Sequence, residues 1–281
     1  MAWPAAGTEK GASAACSIDT REKRTVTRVL DGETFIVDGG GEVRLAGTLA
    51  PKAFDTAGGA TSWPLAEHAR EALQALVADR SVTLAFAGAR SDRHGRLMAH
   101  VFTANLAAAG EAWVQGAMLQ RGLARAYALE ANAPCVAEMI ALEAVARDAS
   151  RGLWAEPAYA IRAADDVNQL LRLAGTFQIV EGRVSAVSDT RGTTYVNFGE
   201  DWRQDFTVAI RQPMRRALSS SGVQLEGMTG VAVRVRGWIE RRGGPAIGLS
   251  HAGLIEVLPD APEVAETSQT TRRRSRRKVS P

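Results

Sequence analysis

Two separate stretches of the chain alternate apolar and polar residues in short runs broken by turns, and a helical period interrupts each. Alternation of this kind buries one face of each strand and wets the other. In the first stretch, Val26, Val29 and Leu30 lead into Thr34-Phe35-Ile36-Val37 and Val43-Arg44-Leu45. Between them Asp38-Gly39-Gly40-Gly41 forms a turn that tolerates positive φ, which predicts a hairpin. A helix is expected to open near Ser62 with Pro64 in its first turn, presenting Leu65, Ala69, Leu73, Leu76 and Val77 on one face. Val82, Leu84 and Phe86 read as a strand, as do Leu97, Ala99 and Val101. Further helices are expected near 111–121 and from Pro134 to Gly152. The pattern is five strands and three helices if the segment at 25–30 is a strand.

The second stretch follows residues 161–175, which read as a polar linker or a loose helix. Val180, Val184 and Ala186 alternate with polar residues. Tyr195–Phe198 and Phe206–Ile210 read as strands, residues 212–221 as a short helix, and Val231, Val233, Val235 and Ile239 alternate again before Ile247–Val257 closes the block. Three strands, a helix and two strands is the order of an OB-fold barrel. The expected organisation is a disordered N-terminus at 1–24, a first domain at 25–160, a linker at 161–175, a second domain at 176–258 and a disordered basic tail at 259–281. The fold class is α+β, mainly β. A length of 281 residues suits two domains.

Charge is unevenly placed. Lys and Arg number 34 against 31 Asp and Glu, but six of the cations lie between Arg272 and Lys278. Residues 25–160 hold 12 cations and 15 acids, and residues 176–258 hold 10 and 8. A body that coats any nucleic acid non-specifically is therefore excluded, and polyanion binding must be local or fall to the tail, which otherwise is a solvated charge run. No run approaches the ~18 apolar residues of a membrane span. Two cysteines, Cys16 and Cys135, are too few for a zinc site or a disulfide scaffold; one bond between them is open, and two unrelated thiols are expected. Ala12-Ser13-Ala14 before Cys16 is like the end of a signal peptide. The expected location is cytoplasmic if the start is correct, and secreted or periplasmic if a leader is missing upstream of Cys16.

Several motifs stand in order along the first block: Val29-Leu30-Asp31-Gly32-Glu33-Thr34, Val43-Arg44-Leu45-Ala46-Gly47, Asp92-Arg93-His94-Gly95-Arg96, Gly122-Leu123-Ala124-Arg125-Ala126-Tyr127 and Gly152-Leu153-Trp154. Together they resemble the thermonuclease (staphylococcal nuclease-like) family. The resemblance implies an OB-type barrel with three helices and calcium-dependent hydrolysis of phosphodiesters. That chemistry needs a carboxylate to position or deprotonate water, carboxylates to hold a hard cation, and arginines to neutralise charge developing on phosphoryl oxygens.

Position by position, the resemblance puts Arg44 and Arg96 at the two catalytic arginines and Glu33 at a metal-binding aspartate, with Asp31 beside it as a weaker ligand. Leu49 falls where a second ligand aspartate belongs, and Lys52 falls at the catalytic glutamate. His94 replaces a tyrosine. A buried lysine can act as a neutral base, but beside a phosphate it holds its proton more strongly. The site thus keeps its phosphate-binding half and loses much of its hydrolytic half. This points to binding of nucleic acid or another polyanion over cleavage, with calcium a doubtful cofactor. An active calcium-dependent nuclease with a rearranged site is the alternative, and a protein-interaction module a third.

The second block resembles the C-terminal OB-like domain of some bacterial thermonuclease-like proteins, through Tyr195–Gly199, Asp201–Val208 and Val233–Trp238. Trp202 and Trp238, interleaved with Arg203, Arg234 and Arg236, suit a base-stacking platform. Equally, both indoles could cover the barrel end while the arginines pair with Asp201, Asp205 and Glu240. Strand alternation puts Arg234, Arg236 and Trp238 on one face. The four histidines form no metal constellation and read as surface or core residues.

Overall fold

The computed structural model describes residues 18, 20–52, 64–104, 110–128 and 135–259. The tail arginines, Cys16, Asp55 and Trp63 lie outside these residues, as does most of each end expected to be disordered. Residues 20–24, expected to be disordered, instead open a long strand.

The first block contains β1 (Thr20–Val29), β2 (Thr34–Val37), β3 (Glu42–Leu45), β4 (Thr48–Leu49), α1 (Ala66–Val77), β5 (Ser81–Phe86), β6 (Leu97–Ala104), β7 (Glu111–Trp113), α2 (Val114–Gln120), β8 (Arg125–Ala126) and α3 (Val136–Asp148). The N-terminal half of β1 pairs with β5 and its C-terminal half with β2, across an irregularity between Val26 and Arg28. β2 pairs with β3, β5 with β6, and β3 runs parallel to β6, so the five strands close into a barrel. Val26, Phe35, Val43, Leu45, Leu84 and Val101 fill its interior. The helix expected at 111–121 begins only at Val114, because Glu111–Trp113 completes the sheet edge against β6. Gly122 and Gly152 hold positive φ, and a Cβ on Gly122 would lie 2.1 Å from the Arg151 carbonyl oxygen. Leu153 N–H donates to the Gly122 carbonyl there, so two of the short motifs meet at one backbone crossing.

The C-terminal region is rich in sheet. It contains β9 (Arg162–Ala163), α4 (Val167–Arg172), β10 (Phe177–Arg183), β11 (Ala186–Thr190), β12 (Thr193–Asn197), β13 (Thr207–Arg211), α5 (Gln212–Ser220), β14 (Ala232–Arg242), β15 (Gly244–Gly248) and β16 (Ile255–Val257). β10 pairs with β14 and β11 with β12, and β13 runs parallel to β15. This repeats the pairing order of the first barrel. Residues 161–175 are not a bare connection. β9 adds to β10, Asp166 caps α4 by accepting from Gln169 N–H, and Leu170 is fully buried. The polar residues there coat a short helix whose few apolar positions are all used.

The two halves share one continuous apolar core, and a buried ion pair crosses between them. Arg236 of β14 is 0% exposed. Its Nη1 lies 2.7 and 2.9 Å from the two Glu143 carboxylate oxygens on α3, and its Nη2 lies 2.6 Å from Glu256 on β16. Glu143 also accepts from Ala126 N–H at 2.6 Å. Burial alone would lower the Arg236 pKa, but Glu143 and Glu256 overcome it and raise it above the ordinary arginine value. Removing one partner of such a pair leaves a buried charge uncompensated, at about 3–5 kcal/mol. Arg236→Met should lower the unfolding free energy by about that amount in urea titrations, and both halves should unfold in a single transition.

His100 on β6 is buried beside Trp113, ring centroids 5.7 Å apart. Neither ring nitrogen has a hydrogen-bond partner among the described residues. Burial pushes its pKa down to about 4, from 6.5. The neutral form is therefore the folded form, and stability is lost as pH falls from 6.5 toward 4, by up to ~3 kcal/mol. His100→Phe should flatten that part of a melting temperature against pH curve.

Candidate functional site

Glu33 follows the turn that ends β1, and its carboxylate points inward and is fully buried. Asp31 shapes the turn by accepting from Glu33 N–H at 2.8 Å. Gly32 in the same turn allows no side chain, since a Cβ there would lie 2.6 Å from Ala69 Cβ of α1. The buried carboxylate is met from three sides. Ala50 N–H donates to Oε2 at 2.8 Å. Arg44 Nη2 of β3 lies 3.0 Å from Oε1, and Lys52 Nζ lies 2.8 Å from the same oxygen. Lys52 Nζ also lies 3.2 Å from Asp31 Oδ2. The ammonium thus bridges the two acids that the resemblance assigned to a metal. Burial alone would lower the Lys52 pKa, but Glu33 and Asp31 more than offset it and hold the amine above its ordinary value, fully protonated.

Short pairing of β4 with β8 delivers both departures from the nuclease pattern to this place, with Leu49 opposite Arg125. Leu49 is buried against Phe177 and Ile179 of β10, with Tyr127, Trp154 and Ile161 around them. It therefore forms part of the seam with the C-terminal region.

Arg96 stands just before β6, which runs parallel to β3, and leans toward the face of β3 that carries Glu42 and Arg44. It approaches Glu42 at 3.8 Å, and Glu42 and Arg44 are two residues apart on one strand. Its main partner is Asp92, which accepts from Arg96 Nε at 2.8 Å and from the backbone N–H groups of His94 and Arg96. Burial pushes the Asp92 pKa up, yet Arg96 and these donors hold it below its ordinary value. His94 is exposed and accepts from Arg93 Nε. Each arginine of the pair is thus tied to a carboxylate. Arg44 keeps a buried Nε with no partner among the described residues.

The residues expected to form a stacking face separate. The expected strand alternation holds, but that face packs on the first block, and Arg236 is buried in its ion pairs and cannot reach a ligand. Arg234 binds Glu181 at 2.5 Å and lies 3.6 Å from Glu256. Trp202 is 61% exposed with Arg203 stacked over its ring at 4.7 Å. Asp201 accepts from Arg203 N–H, rather than pairing with its guanidinium. Trp238 stays 41% exposed. Two residues the sequence did not single out belong to the site. One is Ala50, through its N–H. The other is Tyr127, whose backbone N–H donates to the Gly47 carbonyl in the turn that follows β3. Its place at the end of the Gly122–Tyr127 motif was the available signal.

Cys135 is disulfide-bonded, which overturns the expectation of two unrelated thiols. Among the described residues no group of three or more His, Cys, Asp or Glu is placed to hold a metal, and no helix is long and apolar enough to cross a membrane.

Residues 42–156 match the family model of the staphylococcal nuclease homologues. No curated protein matches the chain. Calcium titration should give no binding heat with the wild type. Lys52→Glu should restore measurable calcium binding, because it exchanges the bridging ammonium for a third carboxylate. Leu49→Asp should instead cost stability, on the order of several kcal/mol, by burying a charge against Phe177 and Ile179.

Proposed function

Because residues 42–156 form a staphylococcal nuclease homologue domain, we propose that the protein binds nucleic acid through this site and does not hydrolyse it with calcium. Lys52 carries the reading. Its ammonium lies between Asp31 and Glu33, the acids a hard cation would need. At ~4 Å and an effective dielectric near 20, two unit charges interact by about 4 kcal/mol, so a dication beside this ammonium meets roughly twice that repulsion. Both oxygens of Glu33 are engaged, and Leu49 offers no ligand atom. The donor set does not fit calcium.

The residues also lack a group to deprotonate or orient an attacking water where the family resemblance places one. Positioned acid–base catalysis accounts for about 10²–10⁴-fold in rate, and a protonated lysine cannot supply the base half of it. What remains suits phosphate. Arg44 and Lys52 are partly exposed, each with donors beyond those Glu33 and Asp31 take, and Arg96 leans toward the same face of β3. Phosphate contacts of this kind position a strand without reading its sequence.

Purified full-length protein should leave single- and double-stranded substrates intact with calcium or with EDTA. Binding of a labelled oligonucleotide should weaken about tenfold on Arg44→Ala. EDTA-sensitive digestion that is abolished by Arg44→Ala would overturn the proposal.

A further inference from the structure

Trp238 belongs to β14 of the C-terminal region and packs into an aromatic cluster that reaches Tyr127 of the first block. Its register partner on β10 is Phe177, and the two rings meet edge-on with centroids 6.1 Å apart and planes at 72°. Tyr127 also meets Phe177 edge-on at 5.6 Å, and its backbone N–H donates to the Gly47 carbonyl at 2.9 Å. One aromatic chain therefore runs from the exposed indole, through Phe177, to Tyr127, whose backbone is tied to the turn that follows β3 and Arg44.

The indole is held in a way that suits stacking. Its ring is packed edge-on against Phe177, which holds the indole in place. Yet 41% of the residue remains exposed. The strand neighbours on its face, Arg234 and Arg236, are committed to Glu181, Glu143 and Glu256 and do not compete for the ring. Trp202 is more exposed, but the Arg203 guanidinium already lies over its ring. A fixed aromatic face loses little entropy when a base stacks on it, and every base offers a π-face.

We infer that the two halves of the chain build one composite site for single-stranded nucleic acid, with a base stacked on Trp238 and the adjoining phosphate on Arg44 and Lys52. The inference rests on the phosphate-binding reading of Arg44 proposed above and adds the C-terminal region as the source of the base contact. In this arrangement Leu49 has a role. By packing on Phe177 and Ile179 it fixes β10, and with it the Phe177–Trp238 pair, against the rim of the phosphate site.

The test uses the full chain and two labelled probes of equal length and charge, an oligothymidylate and an abasic strand, followed by fluorescence anisotropy. The wild type should bind the oligothymidylate more tightly. Trp238→Ala should weaken oligothymidylate binding about 5- to 100-fold and leave the abasic strand unchanged, while Trp238→Phe should retain most of the difference. Arg44→Ala should weaken both probes equally. Equal affinity of the wild type for both probes would overturn the inference. So would Trp238→Ala and Trp238→Phe variants, folded by near-ultraviolet circular dichroism, that leave both affinities unchanged or lower both alike. In each of those cases persisting dependence on Arg44 would leave the proposed function standing. Binding of neither probe through Arg44 would overturn both.

Discussion

Glu143 holds the molecule together at the point where its two halves meet. It is a fully buried carboxylate on α3, and it gathers the Ala126 N–H of β8, Arg147 of its own helix and Arg236 of β14. A charge in that position is tolerable only when its lone pairs are filled and a countercharge is near. The geometry that satisfies it also sets where β8 and β14 stand relative to α3. β8 carries Tyr127 just beyond its end, and β14 carries Trp238, so the ion pair governs how the aromatic residues reach the rim of the site.

A second buried carboxylate, Glu33, organises the site by the same rule. In a metal-binding barrel a cation would compensate such a group. Here Lys52 and Arg44 do so, and the compensation comes with the chain. The charges of Asp31, Glu33, Arg44 and Lys52 balance, so the buried carboxylate is compensated by side chains of the chain itself.

The C-terminal region covers the side of the site where Leu49 lies. Arg125 shows how tightly the seam is drawn. It is buried, donates to the Phe177 carbonyl at 2.8 Å and lies over the Tyr159 and Phe177 rings. Burial pushes its pKa down to about 10, so it still carries its charge at neutral pH. Arg125 and Arg236 act as ties across this seam, and their burial keeps them from a polyanion.

Much of this was legible in the chain before any coordinates. Period-two runs and glycine turns marked β2, β3, β5 and β6 and, in the C-terminal region, β10, β12, β13 and β14, because burying one face of a strand imposes its own spacing on local sequence. The motifs around Asp31, Arg44 and Arg96 pointed to a candidate site, and the structure puts Asp31, Arg44 and Lys52 around Glu33. The sequence also put Arg234, Arg236 and Trp238 on one face correctly. What covers that face was decided only by tertiary structure. Alternation reports which residues point together, but it carries no information on whether they point at water or at another part of the chain. Arg236 became a buried tie and Trp238 a partly exposed rim for that reason, and Lys52 found both Asp31 and Glu33 because long-range pairing of β4 with β8 brings it there. Local periodicity is a property of neighbours in sequence. The partner of a charge is set by residues far away along the chain, and here that distance separates Glu143 from Arg236 and Asp31 from Lys52.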